Sequence, residues 1–479
     1  MPRLFVSFSL LLGFLFTSCA TLADEPTPEV RAVWVASLAP GIRAPEEIPL
    51  TVDALRRANL NTLIAQIRRQ GMVYFQSDLE PRATSIEGPA DWDPLAQIVE
   101  EAHDTSGGGQ RLDVHAWFNV YALGSQQHLA GATPTPIAEA HPEWYTRSPS
   151  GEVLTFLDPG VPEVTEHFAA LVAECLDRYE VDGVNLDFVR YTEDEGGAGY
   201  NPIALERFHR LTGRTDIPAN RDPEWSAFRR DQVTALVRRT MVTILEHRPE
   251  AMLSVCAVGF GGPPRPGQTF EDTSPYIQVH QDWVGWARAG IADVVTRMGY
   301  KREHVPQQAA DYRGWGDLSR ALQDESGRII TMGIGGYFNE PEGVLNQYRE
   351  AQARGLGTTL FSYHRPQGDA EETGLLGPRS PFWDTLGREI YTEPVPPPDP
   401  TWREGLGTIA GFLRDENGDP LDTVEVSLMD TDHVTRSDGS GFFAFLNLEP
   451  GECVILAPGS TVDGESATVS ANEVTWVNR

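Results

Sequence analysis

The chain has 479 residues, of which 40% are hydrophobic, enough for one large core and one small one. Its formal net charge of −31 repels phosphate backbones and anionic lipid, which argues against nucleic acid as a partner. The four cysteines (Cys19, Cys175, Cys256 and Cys453) contain no CxxC pair, so they suggest neither a disulfide framework nor a metal site.

The N-terminus has the layout of a secretory leader over residues 1–23: Arg3 supplies positive charge and Leu4 to Phe16 is an apolar run. Phe16-Thr17-Ser18-Cys19 then matches a bacterial lipobox pattern, with Cys19 as the candidate lipidated residue. Ordinary cleavage after Ala23 is the competing reading. The expectation is export, to the cell envelope as a lipoprotein or as a secreted protein. The apolar run is too short to span a bilayer, so membrane contact is expected only through the lipid anchor.

Arg31 to Leu38 is the first apolar strand, and Asn61 to Arg68 the second, with Gln66 and Arg68 in phase at its polar end. Leu112 to Val120 is the third, with His115, Trp117 and Asn119 in phase. A helix-period segment from Val164 to Tyr179 precedes the fourth, Val181 to Tyr191. Ala251 to Gly259, Ala292 to Tyr300, Arg328 to Tyr337 and Leu356 to His364 complete the set, with helical segments between them. Strand and helix alternate eight times over residues 28–391, which predicts a (β/α)8 TIM barrel. The rival, a doubly wound open sheet, needs a glycine-rich phosphate signature after the first strand, and Ala39-Pro40-Gly41 is not one. A proline-rich linker at 392–405 leads to a small all-β sandwich of immunoglobulin or transthyretin type at 406–479, marked by short β-rich runs between turn signals.

The fourth strand carries the chemistry. Alternate side chains of a strand share a face, so Asn185 and Asp187 point one way while Val184, Leu186 and Phe188 point the other. Polar residues at the C-terminal end of a barrel strand are where such folds keep their active sites. The competing reading is that Asp187 merely orders the loop that follows it. Trp34, Trp92, Trp117, Trp144, Trp283, Trp286 and Trp315 add aromatic surface suited to sugar rings, with Trp286 assigned to the core. Asn119, Trp117, Asn185, Arg190, Tyr191, Tyr300, His364 and Arg68 are the candidate substrate-binding residues. Glycoside hydrolysis needs two carboxyl groups flanking the bond. Asp187 is the first, and Glu340, just past the seventh strand, is the leading candidate for the second. Glu193, Asp194, Glu195 and Asp272 are loop alternatives. No cofactor and no metal is expected, and a polysaccharide is the expected partner. An esterase is disfavoured, because there is no Gly-x-Ser-x-Gly elbow.

Seven segments fall in an order that resembles the bacterial glycosyl-hydrolase-10-like family. They are Arg31-Ala32-Val33-Trp34-Val35, Val114 to Asn119, His141-Pro142-Glu143-Trp144, Leu157-Asp158-Pro159-Gly160, Val181 to Phe188, Asp282-Trp283 and Met298-Gly299-Tyr300. The resemblance implies a TIM barrel, an exported and often lipid-anchored protein, and glycosidase activity, directed in some members at peptidoglycan strands stripped of stem peptides. It makes Asp187 the presumed catalytic carboxylate and places Asn119 and Tyr300 on matching rim positions. Many members carry a second acidic residue after that Asp, where this chain has Phe188. Family 18 chitinases carry DGxDxDxE on the same strand. Here Val189 stands at the catalytic Glu, so their substrate-assisted chemistry is disfavoured. A catalytically silent carbohydrate-binding lipoprotein on the same fold is the alternative to a glycosidase. The last domain resembles the carboxypeptidase-regulatory-like domains in its Gly-Asp-Pro-Leu turn and its Asp-Gly-Ser-Gly-Phe-Phe run.

Overall fold

In the computed structural model, which describes residues 28–124, 129–193 and 197–478, eight parallel strands close on themselves. They are β1 (Arg31–Val35), β2 (Thr62–Arg69), β3 (Asp113–Asn119), β4 (Gly183–Asp187), β5 (Met252–Val258), β6 (Val294–Met298), β7 (Ile329–Gly335) and β8 (Gly357–Phe361). Each pairs with the next, and β8 returns to β1, with Arg31 beside Thr358 and Trp34 beside Phe361. The expected TIM barrel is present.

The strands read as continuous apolar runs because both faces are covered. Val33, Leu63, Val114, Phe118, Val184, Leu186, Val255 and Ile334 point outward into one large core shared with the helices. Ala32, Trp34, Ile64, Trp117 and Cys256 point inward and form a separate core inside the barrel. Helix starts are set locally. Asp93, Asn201 and Asp222 accept from Ala96, Ile203 and Trp225 N–H groups, each just ahead of a proline in the first turn. The structure adds elements that periodicity did not reveal: helices Pro202–Thr212 and Pro306–Ser326, and a hairpin of Tyr145–Arg147 with Val153–Leu157. The first strand stops at Val35 rather than Leu38, which is 61% exposed.

The barrel segment enters and leaves at the N-terminal pole of the strands. Arg31 Nη1 donates to Glu393 O at 2.6 Å, Asn59 Nδ2 to Tyr391 O at 2.6 Å, and Asn61 Nδ2 to Glu29 O at 2.8 Å. At the same pole Trp402 Nε1 donates to Asp293 Oδ1 and Arg403 Nη2 to Ala251 O, both at 2.9 Å.

Beyond them lie two small sheets. One holds Gly407–Phe412, Phe442–Leu448 and Val474–Val477, and the other Glu425–Leu428, Val434–Arg436, Gly451–Leu456 and Ser466–Val469. Ile409, Val426, Phe443, Phe445 and Ile455 share a core of their own. This unit docks on the flank of the barrel. Ala410, Phe442 and Ala444 pack on Val242 of the long helix Pro223–His247. Arg239 lies 4.6 Å over the Phe442 ring, and Arg207 pairs with Asp422 through two bonds of 2.8 and 2.9 Å, both side chains being buried.

The leader reading and Cys19 fall outside the described residues. No helix among the described residues is long and apolar enough to cross a membrane.

Candidate active site

Three layers of inward side chains on β3, β4 and β5 lead up to the mouth. Deepest, His115 sits opposite Gly183 in register. A Cβ on Gly183 would lie 2.7 Å from the imidazole, so glycine is what lets the ring lie across β4 and reach Ser254 on β5. Ser254 Oγ donates to Val184 O at 3.2 Å and accepts from Asn185 Nδ2 at 2.8 Å, which leaves His115 Nδ1 to donate to it at 3.0 Å. Burial pushes His115 down to about 4, so it is a neutral spacer near pH 7. One layer up, Trp117 pairs with Asn185, whose Oδ1 accepts from Cys256 Sγ at 3.2 Å. At the top, Asn119 pairs with Asp187.

Asp187 is 7% exposed and lies at the floor of a cleft of about 800 Å³ in the C-terminal mouth. Burial raises its carboxyl above the usual aspartate range, against the opposing pull of Arg190 and of the Phe188 N–H, which donates to Oδ1 at 2.7 Å. The ordering contact with the next residue is therefore real, but it occupies one oxygen of a carboxyl that also faces the cleft. Asn119 is oriented from behind: Gln66 Nε2 donates to its Oδ1 at 3.1 Å, while Gln66 Oε1 accepts from Ser37 N and Oγ at 3.1 and 2.8 Å. The Asn119 Nδ2 amide keeps its donors for a ligand, with no hydrogen-bond partner among the described residues.

The strand period breaks at two places. Phe188 has φ +51°, a left-handed conformation costly for a bulky residue, and the turn swings its ring into the cleft instead of the outer core. There it meets Phe156 at 6.1 Å, and Arg190 lies 5.0 Å over it. On β2, a bulge between Gln66 and Arg68 removes their common phase. Arg68 turns outward to Glu80 at 2.6 Å and donates to Asn119 O and Val120 O, while Arg69 and Gln70 line the cleft. Arg68 and His167 hold the Glu80 carboxyl down at about 2, even though its complete burial works in the other direction.

Trp117, Asn119, Asp187, Arg190 and Tyr300 thus converge on one cleft. Asn185 is wholly buried beneath it. Tyr191 lies behind it, 5.5 Å from His280. His364 lines a separate hollow of about 350 Å³ with Tyr363 and Leu376. Glu340 is exposed at the N-cap of helix Pro341–Gln352 and does not line the cleft. Asp272 closes a capping box with Thr269. Asp194 and Glu195 fall outside the described residues. The other carboxyl-bearing residue among the described cleft-lining residues is Glu193, which pairs with Arg190 Nη2 at 2.8 Å. Of the tryptophans, Trp117 alone lines the cleft among the described residues. The walls are built from Phe156, Phe188, Phe260, Tyr300, Tyr337, Phe338 and Phe361. Tyr337 and Phe361 were findable, since Phe361 ends β8 and Tyr337 ends the seventh strand as expected from the sequence, two residues past the observed end of β7. Phe156 was hidden in the inserted hairpin. No group of three or more metal-ligating side chains occurs among the described residues.

A closed (β/α)8 barrel with an aromatic-walled cleft over a buried carboxyl at its C-terminal mouth has its candidate site where TIM-barrel enzymes keep theirs. The chain belongs to the glycosyl hydrolase-like 10 family, whose model matches residues 29–329. It is 26% identical over 298 residues to glycosyl hydrolase DigH of Escherichia coli strain K12, covering 59% of this chain and 64% of that protein. The chain thus spans somewhat less than two thirds of that relative. An S-layer-related protein of Niallia circulans is 26% identical over 154 residues, 28% of this chain and 9% of its own. Among solved structures, the catalytic domain of a β-amylase from Paenibacillus polymyxa aligns with a TM-score of 0.52 at 11% identity, over 77% of this chain and 99% of that one, which is a likeness of fold.

Proposed function

We propose that the chain is an exported glycoside hydrolase that cleaves O-glycosidic bonds of a polysaccharide, with Asp187 and Glu193 as its two carboxyl groups. The observation that carries the reading is the cleft: aromatic walls for sugar faces, the amide of Asn119 for hydroxyls, and one buried and one exposed carboxyl on either side of Arg190. The relative named as a glycosyl hydrolase supports it. Asp187 serves as general acid and base. Its raised affinity for a proton suits it to protonate the leaving oxygen, and the ionised form is then stabilised by Arg190 and the Phe188 N–H. Glu193 is the second carboxylate, released from Arg190 as substrate enters. Peptide-free peptidoglycan glycan strands are the first candidate polymer, and Cys19 anchors the protein to the cell envelope.

The test is a digest. The form lacking residues 1–23 is incubated with intact peptidoglycan, peptide-free strands and chitin oligomers, and the products are analysed by mass. New reducing ends are expected from the parent protein and from Glu340→Gln. Rates should fall about 10²–10⁴-fold in Asp187→Asn and in Glu193→Gln. The alkaline limb of the pH–rate profile should disappear in Asp187→Asn. Binding without cleavage on every polymer would instead make the protein a silent carbohydrate-binding lipoprotein. Full activity in Asp187→Asn would remove that residue from the mechanism.

A further inference from the structure

The rim carries a second hollow beside the cleft. Its volume is about 350 Å³, at the small end of the range for ligand sites, against about 800 Å³ for the cleft. Four segments enclose it: the chain after β1 at Pro40 and Gly41, the start of helix Glu47–Arg57, the chain after β8 at Tyr363 and His364, and the 3₁₀ turn Gly377–Arg379. They are fastened to one another. Thr51 Oγ1 donates to Gly41 O at 2.8 Å, Gly377 N to His364 O at 3.0 Å, and Arg57 Nη2 to Pro378 O at 3.2 Å. A Cβ on Gly41 would lie 2.9 Å from Val35 Cγ1 and 3.1 Å from the Tyr363 ring, so glycine lets the first segment close over that ring. The hollow is thus formed before any ligand arrives.

Its lining suits a sugar. Leu50 gives an apolar surface and is 52% exposed, a large side chain left in water at the start of a helix. Around it stand groups that exchange hydrogen bonds with hydroxyls. The Glu47 carboxylate is held in place by the N–H groups of Gly41 and Arg43, which donate to its Oε2 at 2.8 and 2.9 Å. Tyr363 packs on Trp383 with ring centres 5.7 Å apart, and its Oη accepts no hydrogen bond among the described residues. Burial and the neighbouring Arg365 hold His364 below the usual histidine range, so near pH 7 it offers one donor and one acceptor. Arg379 adds an exposed guanidinium.

The hollow continues the cleft. On the β1 side the lining passes from Leu38 in the cleft to Pro40 in the hollow, and on the β8 side from Phe361 to Tyr363. Two residues of chain span at most about 7 Å. Leu38, on the ridge between the two, is 61% exposed. In the closed ring β8 is four steps from β4 in either direction, so the hollow lies across the mouth from Asp187.

We infer that this hollow is a remote subsite, which takes one sugar residue of the same chain that fills the cleft and so makes the protein prefer long chains. The sugar held there stands across the mouth from the reacting bond and takes no part in the reaction. It acts through effective concentration: once the cleft is filled, the same chain presents its distal residue to the hollow. The inference rests on the proposed reading of the cleft as a polysaccharide site, which leaves the reach of the site along the chain open.

The test separates the two. Asp187→Asn is titrated with chitin oligomers from dimer to octamer and with peptide-free peptidoglycan strands fractionated by length. Affinity should rise with length by at least about tenfold and then level off once both sites are filled. Leu50→Ser and Arg379→Ala, both at exposed positions and each added to Asp187→Asn, should bring the long chains down towards the affinity of the short ones and leave the short ones unchanged. In the parent protein the same two changes should raise KM for long chains and leave kcat as it was. Affinity independent of length, or equal losses for short and long chains, would overturn the subsite even if the parent protein cleaves every polymer. A length preference that disappears in Leu50→Ser would uphold it even if no polymer is cleaved.

Discussion

Gly183→Ala tests the way the floor of the cleft is built. The new Cβ would lie 2.7 Å from Cδ2, Cε1 and Nε2 of His115. The ring cannot yield freely, because Nδ1 is tied to Ser254 and the position is wholly inside the barrel. Forcing one extra methyl into such packing costs about 1–3 kcal/mol. Losing the hydrogen bond to Ser254 adds about 1 kcal/mol. The expected loss is on the order of 2–4 kcal/mol. It is read from urea unfolding followed by tryptophan fluorescence, since Trp34 and Trp117 both lie in the inner core. His115→Ala removes the obstruction. The double variant should therefore be more stable than the sum of the two single changes implies, by about 1–3 kcal/mol. Gly183→Ala that unfolds with the parent, or a double variant that is strictly additive, would show that the His115 ring does not depend on the missing Cβ.

Two further perturbations probe the buried ion pairs. Arg68 and Glu80 are 1% and 0% exposed, so Glu80→Gln strands a buried guanidinium and should cost about 3–5 kcal/mol near pH 7. The folded Glu80 carboxyl is held down to about 2 from 4.5, so its contribution is complete above about pH 4.5 and is lost as pH falls towards 2. The stability gap between parent and variant should narrow across that window, and a gap that stays constant would refute the linkage. Arg207→Met leaves Asp422 without its bidentate partner and should loosen the second domain. Limited proteolysis should then cut faster within Glu393 to Pro400, and an unchanged rate would mean that the apolar contact at Val242 holds the domain by itself.

The barrel was legible because each strand is a short apolar run covered on both faces, a pattern that survives without an alignment. Asn119 and Asp187 were legible for the same reason, as polar residues in phase at strand ends. Legibility failed wherever the backbone left that period. Arg68 turned out of the barrel because one bulged residue reversed its face, and Phe188 turned into the cleft because of a left-handed φ. Glu340 follows the seventh strand closely in sequence, yet the chain there bends into a 3₁₀ turn, Gly336–Phe338, and leaves its carboxyl at an exposed helix start. The Arg190–Glu193 pair lies in a loop, where no periodicity links sequence separation to direction. Tryptophan count misled as well: Trp286 is in the core as expected, but Trp34, Trp283 and Trp315 are packed inside too, and phenylalanines form most of the wall.

The hydrogen bonds that fasten Arg31, Asn59 and Asn61 to residues 391–395 and to Glu29 have a further consequence. They place both junctions of the barrel at one pole, and the cleft opens at the other. The chain ahead of β1 therefore joins the barrel at its closed floor, and the second domain is entered from the same pole and packs along the flank. A polymer can therefore reach the mouth from the open side without passing either junction.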